Sequence, residues 1–416
     1  MENTVSRITW LSYLIFLFMG CVFISQGVLI LYVSKSYNFS VANVGYLLFI
    51  PTFIQAIVTY FNGYFLEKTN LKYQINIGLG FETLSLIMII SGYYPLFILG
   101  LIFQGFGNGI LISVPNYLII TLHKEDKFQK LNIINFFFSV GGIIGPFLLG
   151  QLLDINWPWQ LAVSLGFIFL ILLFWLNKVI EYSRFKDEDI TQEDSSRRDS
   201  WHISIYLIAA ALFFYVLSEC IFSAWIVSYF KMICGFSIGK ATLGLTIFWL
   251  FITFGRFASD KIARYMKLHQ FILISSSLAF IAYLLIFINR NTTFDLVMIA
   301  IMGMGYAGLY ASILSYGIDQ LPYSCPKLMS FMILAGTIGG VLALPFSSFF
   351  VNHFSILSAL MVGLIILALV IICIYVTLKD KNNKVKDIIG NKNVSYLVRY
   401  SRYFMRKYWR RLTDFN

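Results

Sequence analysis

Charge is what this sequence lacks most. Aspartate, glutamate, lysine and arginine make up 12% of the chain, against 59% for hydrophobic residues. A water-soluble protein of 416 residues needs far more polar surface than that. Histidine is scarce as well, with His123, His202, His269 and His353 scattered near the ends of apolar runs. The five cysteines, Cys21, Cys220, Cys234, Cys325 and Cys373, show neither metal-ligand spacing nor a disulfide framework. They read as small hydrophobes in packed helices, so no metal and no cofactor are expected. The chain also has no glycine-rich nucleotide loop and no serine or cysteine triad, which argues against an enzyme. Strict apolar–polar alternation over about ten residues, the mark of a membrane β-barrel, is absent too.

Long apolar runs are what the chain has instead. About twenty apolar residues cross the hydrocarbon core as a helix. Such runs fall near 8–33, 41–65, 72–92, 94–119, 131–152 and 159–180, then near 202–229, 239–258, 270–288, 294–317, 327–350 and 354–377. The first is too long for the core of a cleavable signal peptide. The expected fold is therefore an all-α membrane protein with twelve transmembrane helices. Placing both termini in the cytoplasm puts 27 of the 31 basic residues inside, leaving only Lys35, Lys231, Lys240 and Arg290 outside. The net charge of +11 then reflects membrane topology rather than nucleic-acid binding. The expected setting is a membrane, with the lipid bilayer as the main partner and a monomeric chain.

One internal stretch, residues 183–200 (SRFKDEDITQEDSSRRDS), carries no apolar run and reads as a solvated linker. It divides the chain into pseudo-symmetric six-helix bundles, 1–182 and 201–378, with a basic tail at 379–416. In the tail, Arg399, Arg402, Arg406 and Arg410 share one helical face, with Phe404, Tyr408 and Trp409 elsewhere. That pattern predicts an interfacial helix on the anionic inner leaflet, the alternative being a disordered basic tail. The fifth span reads SVGGIIGPFLLG from residue 139 and the eleventh LAGTIGGVLALP from residue 334. Corresponding glycine- and proline-interrupted helices in two halves point to a repeat interface and a solute path. Gly142, Gly145, Pro146, Gly336 and Gly339 are the packing candidates there.

A charged side chain at mid-membrane is a functional candidate by default. Glu219 lies near the centre of the seventh span, with Tyr215 and Ser223 one turn to either side on the same face. It is the candidate proton or substrate carboxylate; the plain alternative is a structural hydrogen bond across helices. Glu82 is also deep, in the third span. Asn135 and Ser139, continuing the face of Asn132, Gly142 and Pro146, form a polar-to-small stripe that suits a cavity wall. Asn108, with Gln104 and Asn116, is a weaker candidate of the same kind. Tyr306 and Tyr310 on the tenth span offer stacking surface. Uncharged amides and hydroxyls suit a neutral or polar small molecule better than a strong anion.

Residues 141–150 (GGIIGPFLLG) resemble the fifth-helix glycine–proline motif of the major facilitator proteins. Residues 62–72 (NGYFLEKTNLK) look like a worn form of their second-to-third-helix loop, with Gly63 in place, Glu67 where Asp is usual, and Asn70 and Leu71 replacing the late glycine and arginine. Arg256 and Asp260, in GRFASDKIAR, fall at the corresponding loop of the second half, as a gate salt bridge or a cytoplasmic cap. FYVLSECIFSAWIVSYF, from residue 214, resembles the seventh helix of fucose and glucose/galactose proton symporters. ITWLSYL near the start and PKLMSFMILAGTIG, from residue 326, are most similar to the TsgA-type enterobacterial permeases. The resemblance implies secondary active transport of a small solute by alternating access, with protons as candidate coupling ions. It also implies a first-helix Asn–Asp pair, but Gln26 and Gly27 stand there, so that carboxylate is missing. An exporter of toxic compounds and a non-transporting scaffold acting through its tail are the rival readings.

Overall fold

The structure is a computed structural model that describes residues 2–66, 68–123, 127–180, 201–262, 265–288, 292–321 and 326–390. The linker at 183–200 and the arginine face of the tail lie outside the described residues. Among the described residues every regular element is an α-helix. The first half runs α1 (Glu2–Tyr37), α2 (Val41–Leu47), α3 (Phe49–Leu66), α4 (Leu71–Ile90), α5 (Tyr94–Leu122), α6 (Lys127–Asp154), α7 (Trp159–Ser164) and α8 (Gly166–Val179). The second runs α9 (Ile203–Met232), α10 (Ile238–Ile262), α11 (Leu268–Ile286), α12 (Thr292–Ala307), α13 (Leu309–Ile318), α14 (Pro326–His353) and α15 (Ile356–Gly390). They make twelve spans of membrane-crossing length, because α2–α3, α7–α8 and α12–α13 are each one span interrupted once. The twelve runs read from hydropathy match these spans to within a few residues.

Helices outnumber any other solution because hydrocarbon supplies no partner for a free backbone N–H or C=O. Their outward faces stay apolar: Leu161, Ile168, Ile171 and Trp175 on α7–α8 are all more than half exposed. An apolar surface this continuous is lipid-facing.

Inside the first half, α1 and α6 approach until their backbones touch. A Cβ added at Gly20 would meet the Phe138 carbonyl, and one at Gly141 would meet the Leu17 carbonyl. Only glycine allows two helix backbones this close, and dispersion between them replaces the hydrophobic drive that lipid removes. Gly145 sits on Cys21 of α1 in the same way, and in the second half Gly339 of α14 sits on the Phe213 carbonyl of α9.

The two halves meet most tightly at the end that carries the α1–α2 turn. There Gly27 of α1 abuts the Ser223 carbonyl of α9, Gly45 of α2 abuts Ser348 of α14 and Trp225 of α9, and Gly150 of α6 abuts Thr242 of α10. Asp154, the last residue of α6, closes the seam with hydrogen bonds. Its Oδ1 accepts from the Gly239 N–H at 3.2 Å and its Oδ2 from the Ser237 hydroxyl at 3.4 Å. A carboxylate of one half thus caps the first turn of a helix in the other, where unpaired N–H groups and the helix dipole both favour an anion. Losing such a cap costs about 0.5–2 kcal/mol. Asp154→Ala is therefore expected to raise several-fold the labelling by a membrane-impermeant maleimide of a cysteine placed at Thr242, in a background without the native cysteines. Unchanged labelling would show that the seam holds without the cap.

Candidate functional site

The seventh span, α9, carries the polar stripe. Its i, i+4 spacing brings the Tyr215 hydroxyl to 2.8 Å from Glu219 Oε1, to which it donates. The phenol is itself locked: it is 1% exposed, it lies 3.3 Å from the Tyr306 carbonyl, and its ring packs against Tyr306 and Tyr310 at centroid distances of 5.6 and 6.4 Å. Ser218, one residue before Glu219, bonds the Tyr306 hydroxyl and the Gly363 carbonyl, each at 2.7 Å. The tenth span breaks at Gly308 between the two tyrosines, which divides it into α12 and α13. Glu219 is thus oriented by a rigid aromatic cluster. Its other oxygen, Oε2, makes no hydrogen bond among the described residues.

Glu219 belongs to the wall of a cavity of about 150 Å³ between the two halves. Phe23, Gln26 and Gly27 of α1, Thr52 of α3 and Phe138 of α6 line one side; Glu219, Cys220 and Ser223 of α9, Trp249 of α10 and Gly340 of α14 line the other. Three polar atoms of wall residues, Gln26 Nε2, Ser223 Oγ and Trp249 Nε1, are fully buried and have no partner among the described residues. Trp249 and Arg256 stand two turns apart on one face of α10. Arg256 donates to the Asn135 carbonyl at 3.2 Å and to the Ser139 hydroxyl, so it bridges to α6 of the opposite half. It is close enough to act electrostatically on Glu219 and Tyr215.

The structure therefore brings Gln26, Tyr215, Glu219, Ser223, Tyr306 and Tyr310 into one region and places the other candidates elsewhere. The α6 stripe does not line the cavity. Asn135 donates its own amide to the Leu131 carbonyl, and its backbone and Ser139 are taken by Arg256. Phe138, one residue off that stripe, is the side chain α6 contributes, and Gly142 leaves room for Trp249 and Ile24. Pro146 is buried within α6, one residue after Gly145. Asn108 is buried in α5, away from the wall. Gly336 faces Tyr310, whereas Gly63 is exposed with open space around it. Glu67 and the side chain of Asp260 lie outside the described residues. Glu82 is 3% exposed, packs on Gly107 of α5 with Oε1 unpartnered among the described residues, and does not line the cavity. Phe23, Thr52, Phe138, Cys220 and Trp249 complete the site without having stood out in sequence. An aromatic ring in an apolar helix carries no polar contrast to mark it.

Comparison with known proteins places this geometry in a family. The sequence model of the Major Facilitator Superfamily matches residues 11–324. A TsgA homolog from Citrobacter koseri is 25% identical over 354 residues, 83% of this chain and 88% of the relative. Protein TsgA from Salmonella arizonae is 26% identical over 343 residues, 81% and 86% of the two chains. Among solved structures, an inward-facing, unoccupied bacterial homolog of the human lysosomal transporter Spinster superposes with a TM-score of 0.68 at 13% identity, covering 91% of this chain and 98% of that one. The transporter FucP in its outward conformation gives 0.59 at 20% identity, covering 89% and 98%. Twelve helices, an inter-half cavity and a family match over most of the chain have one reading: this protein is a member of the Major Facilitator Superfamily.

Proposed function

We propose that the protein is a secondary active transporter that moves a small solute across the bacterial inner membrane by alternating access, with Glu219 as the solute-binding and proton-coupling carboxylate. The observation that carries this reading is the place of Glu219: on the inter-half cavity, oriented by Tyr215, with one oxygen free. Family membership supports secondary transport, and a solved structure of related fold is described as a fucose:proton symporter. The charge bias of the loops supports cytoplasmic termini, which would turn the sealed α1–α2 end toward the periplasm. A linker at 183–200 would then join the halves on the cytoplasmic side, leaving them free to rock about the cavity. Arg256 would hold the two halves together near that side until the swing breaks its bonds to α6.

A cavity of this size is easily plugged. Ala224→Phe adds a ring to its wall and is expected to stop solute movement while the protein still inserts and purifies as a monomer. The test is solute flux into proteoliposomes with and without an imposed proton gradient, across a panel of small solutes. Flux insensitive to both the gradient and the plug would overturn the reading.

A further inference from the structure

The cavity wall says more about the solute than that it is small. Its ionisable groups are Glu219 and the thiol of Cys220, and no lysine, arginine or histidine lines it. Three aromatic rings, Phe23, Phe138 and Trp249, surround the space, with Phe138 within 6.3 Å of both others between ring centroids. The remaining wall is mostly aliphatic or glycine, from Ile24, Gly27, Ile30, Leu48, Ala343 and Leu344.

The polar atoms are sorted by type. The donors nearest the cavity, Gln26 Nε2 and Trp249 Nε1, are sealed off, as is the Ser223 hydroxyl. Thr52 spends its proton on the Phe49 carbonyl at 2.8 Å, which leaves its oxygen as an acceptor. Glu219 Oε2 is an acceptor that carries charge when the carboxyl is ionised. With Glu219 ionised, the wall therefore presents acceptors and aromatic rings around a negative charge.

We infer that the solute is a compact organic monocation, an ammonium group on an apolar or aromatic body, which pairs with Glu219 and stacks its charge on the rings of Phe23, Phe138 and Trp249. This rests on the reading of the cavity as the solute site. Aromatic faces attract cations through their quadrupole, most strongly where water is excluded. An anion would meet Glu219 with no cation on the wall to balance it. A polyol would lose its water and leave most of its hydroxyls against hydrocarbon. The cavity, about 150 Å³, holds the ring of such a solute, on the scale of benzene, beside the Glu219 carboxyl.

Proton and cation then occupy the same carboxylate in turn. The groups that face Glu219 are Tyr215 and Cys220 of α9, Arg256 of α10, Tyr306 of α12 and Tyr310 of α13. Arg256 is engaged by α6 and does not line the cavity, so it tempers the charge of Glu219 without replacing the solute.

Binding to the purified full-length protein tests this, with benzyltrimethylammonium, benzylamine, benzyl alcohol and benzoate as probes in calorimetry. The two cations are expected to bind at least tenfold more tightly than the alcohol or the acid. Glu219→Gln should weaken them at least tenfold, Trp249→Leu several-fold, and acidification should weaken benzyltrimethylammonium in the native protein but not in Glu219→Gln. Equal affinity for the alcohol, preference for benzoate, or undiminished cation binding by Glu219→Gln would overturn the inference. If none of the four binds while Ala224→Phe still blocks flux of another solute, the solute class is wrong and the transport reading stands. If the plug blocks no flux, both fall.

Discussion

Glu219→Gln is expected to abolish proton-driven accumulation in proteoliposomes, by about a hundredfold or more, while leaving the fold intact. Glutamine has the volume of glutamate and keeps a carbonyl oxygen, so the Tyr215 hydroxyl can still donate across one helical turn. What disappears is the ability to carry a charge and to exchange a proton. Losing an interaction with a charged group in a site shielded from water is worth several kcal/mol, and each 1.4 kcal/mol is tenfold. Tyr215→Phe makes a useful contrast. It removes one neutral-to-charged hydrogen bond, worth about 1.5–3 kcal/mol, and should lower transport roughly tenfold while shifting its pH dependence. If Glu219→Gln accumulates solute normally, with the same pH profile, Glu219 is a structural residue and the coupling group lies elsewhere. Glu82 would then be the next carboxyl to test, since it is buried in the interior of α4 rather than at a helix end.

Gly141→Ala, like Gly20→Ala, is expected to be among the most destabilising glycine-to-alanine changes in the protein. The added Cβ would fall against the Leu17 carbonyl and 2.8 Å from the Cys21 nitrogen, both backbone atoms of α1. A flexible side chain could step aside, but a helix backbone cannot. The two helices must separate, at a cost of about 1–3 kcal/mol or more for overpacking. The matched control is Gly63→Ala. Nothing lies within 4 Å of its Cβ, and replacing glycine inside a helix stabilises by roughly 0.5–1 kcal/mol. Thermal unfolding in one detergent should therefore move the two variants in opposite directions. Equal melting temperatures for both would mean that α1 and α6 tolerate separation, and that their close approach contributes little.

How far the sequence reached can be read from particular residues. Spans were legible because hydrocarbon forces every backbone group to pair locally, so length and apolarity suffice to place a helix. The Glu219 face was legible because an i, i+4 stripe of polar atoms contrasts with an apolar helix. The α6 stripe looked equally good, yet Arg256 reached across from the other half and claimed it. No spacing within α6 could announce that partner, 117 residues away in the chain. Trp249 and Phe138 passed unnoticed for the opposite reason, since their neighbours are as apolar as they are.

What the sequence determined by itself was local: twelve helices, a charge asymmetry, glycine-rich fifth helices in each half and a carboxyl at mid-membrane. These follow from backbone hydrogen bonding, side-chain size and the cost of charge in lipid, all of which act over a few turns. Only the tertiary structure decided which polar groups face each other. It closed the α1–α2 end with Asp154, spent Asn135 and Ser139 on Arg256, and left Glu219 on a cavity with Phe23 and Phe138 across the join and Trp249 on its own side. Those pairings depend on how two bundles dock, and docking is fixed by surfaces contributed from both halves of the chain.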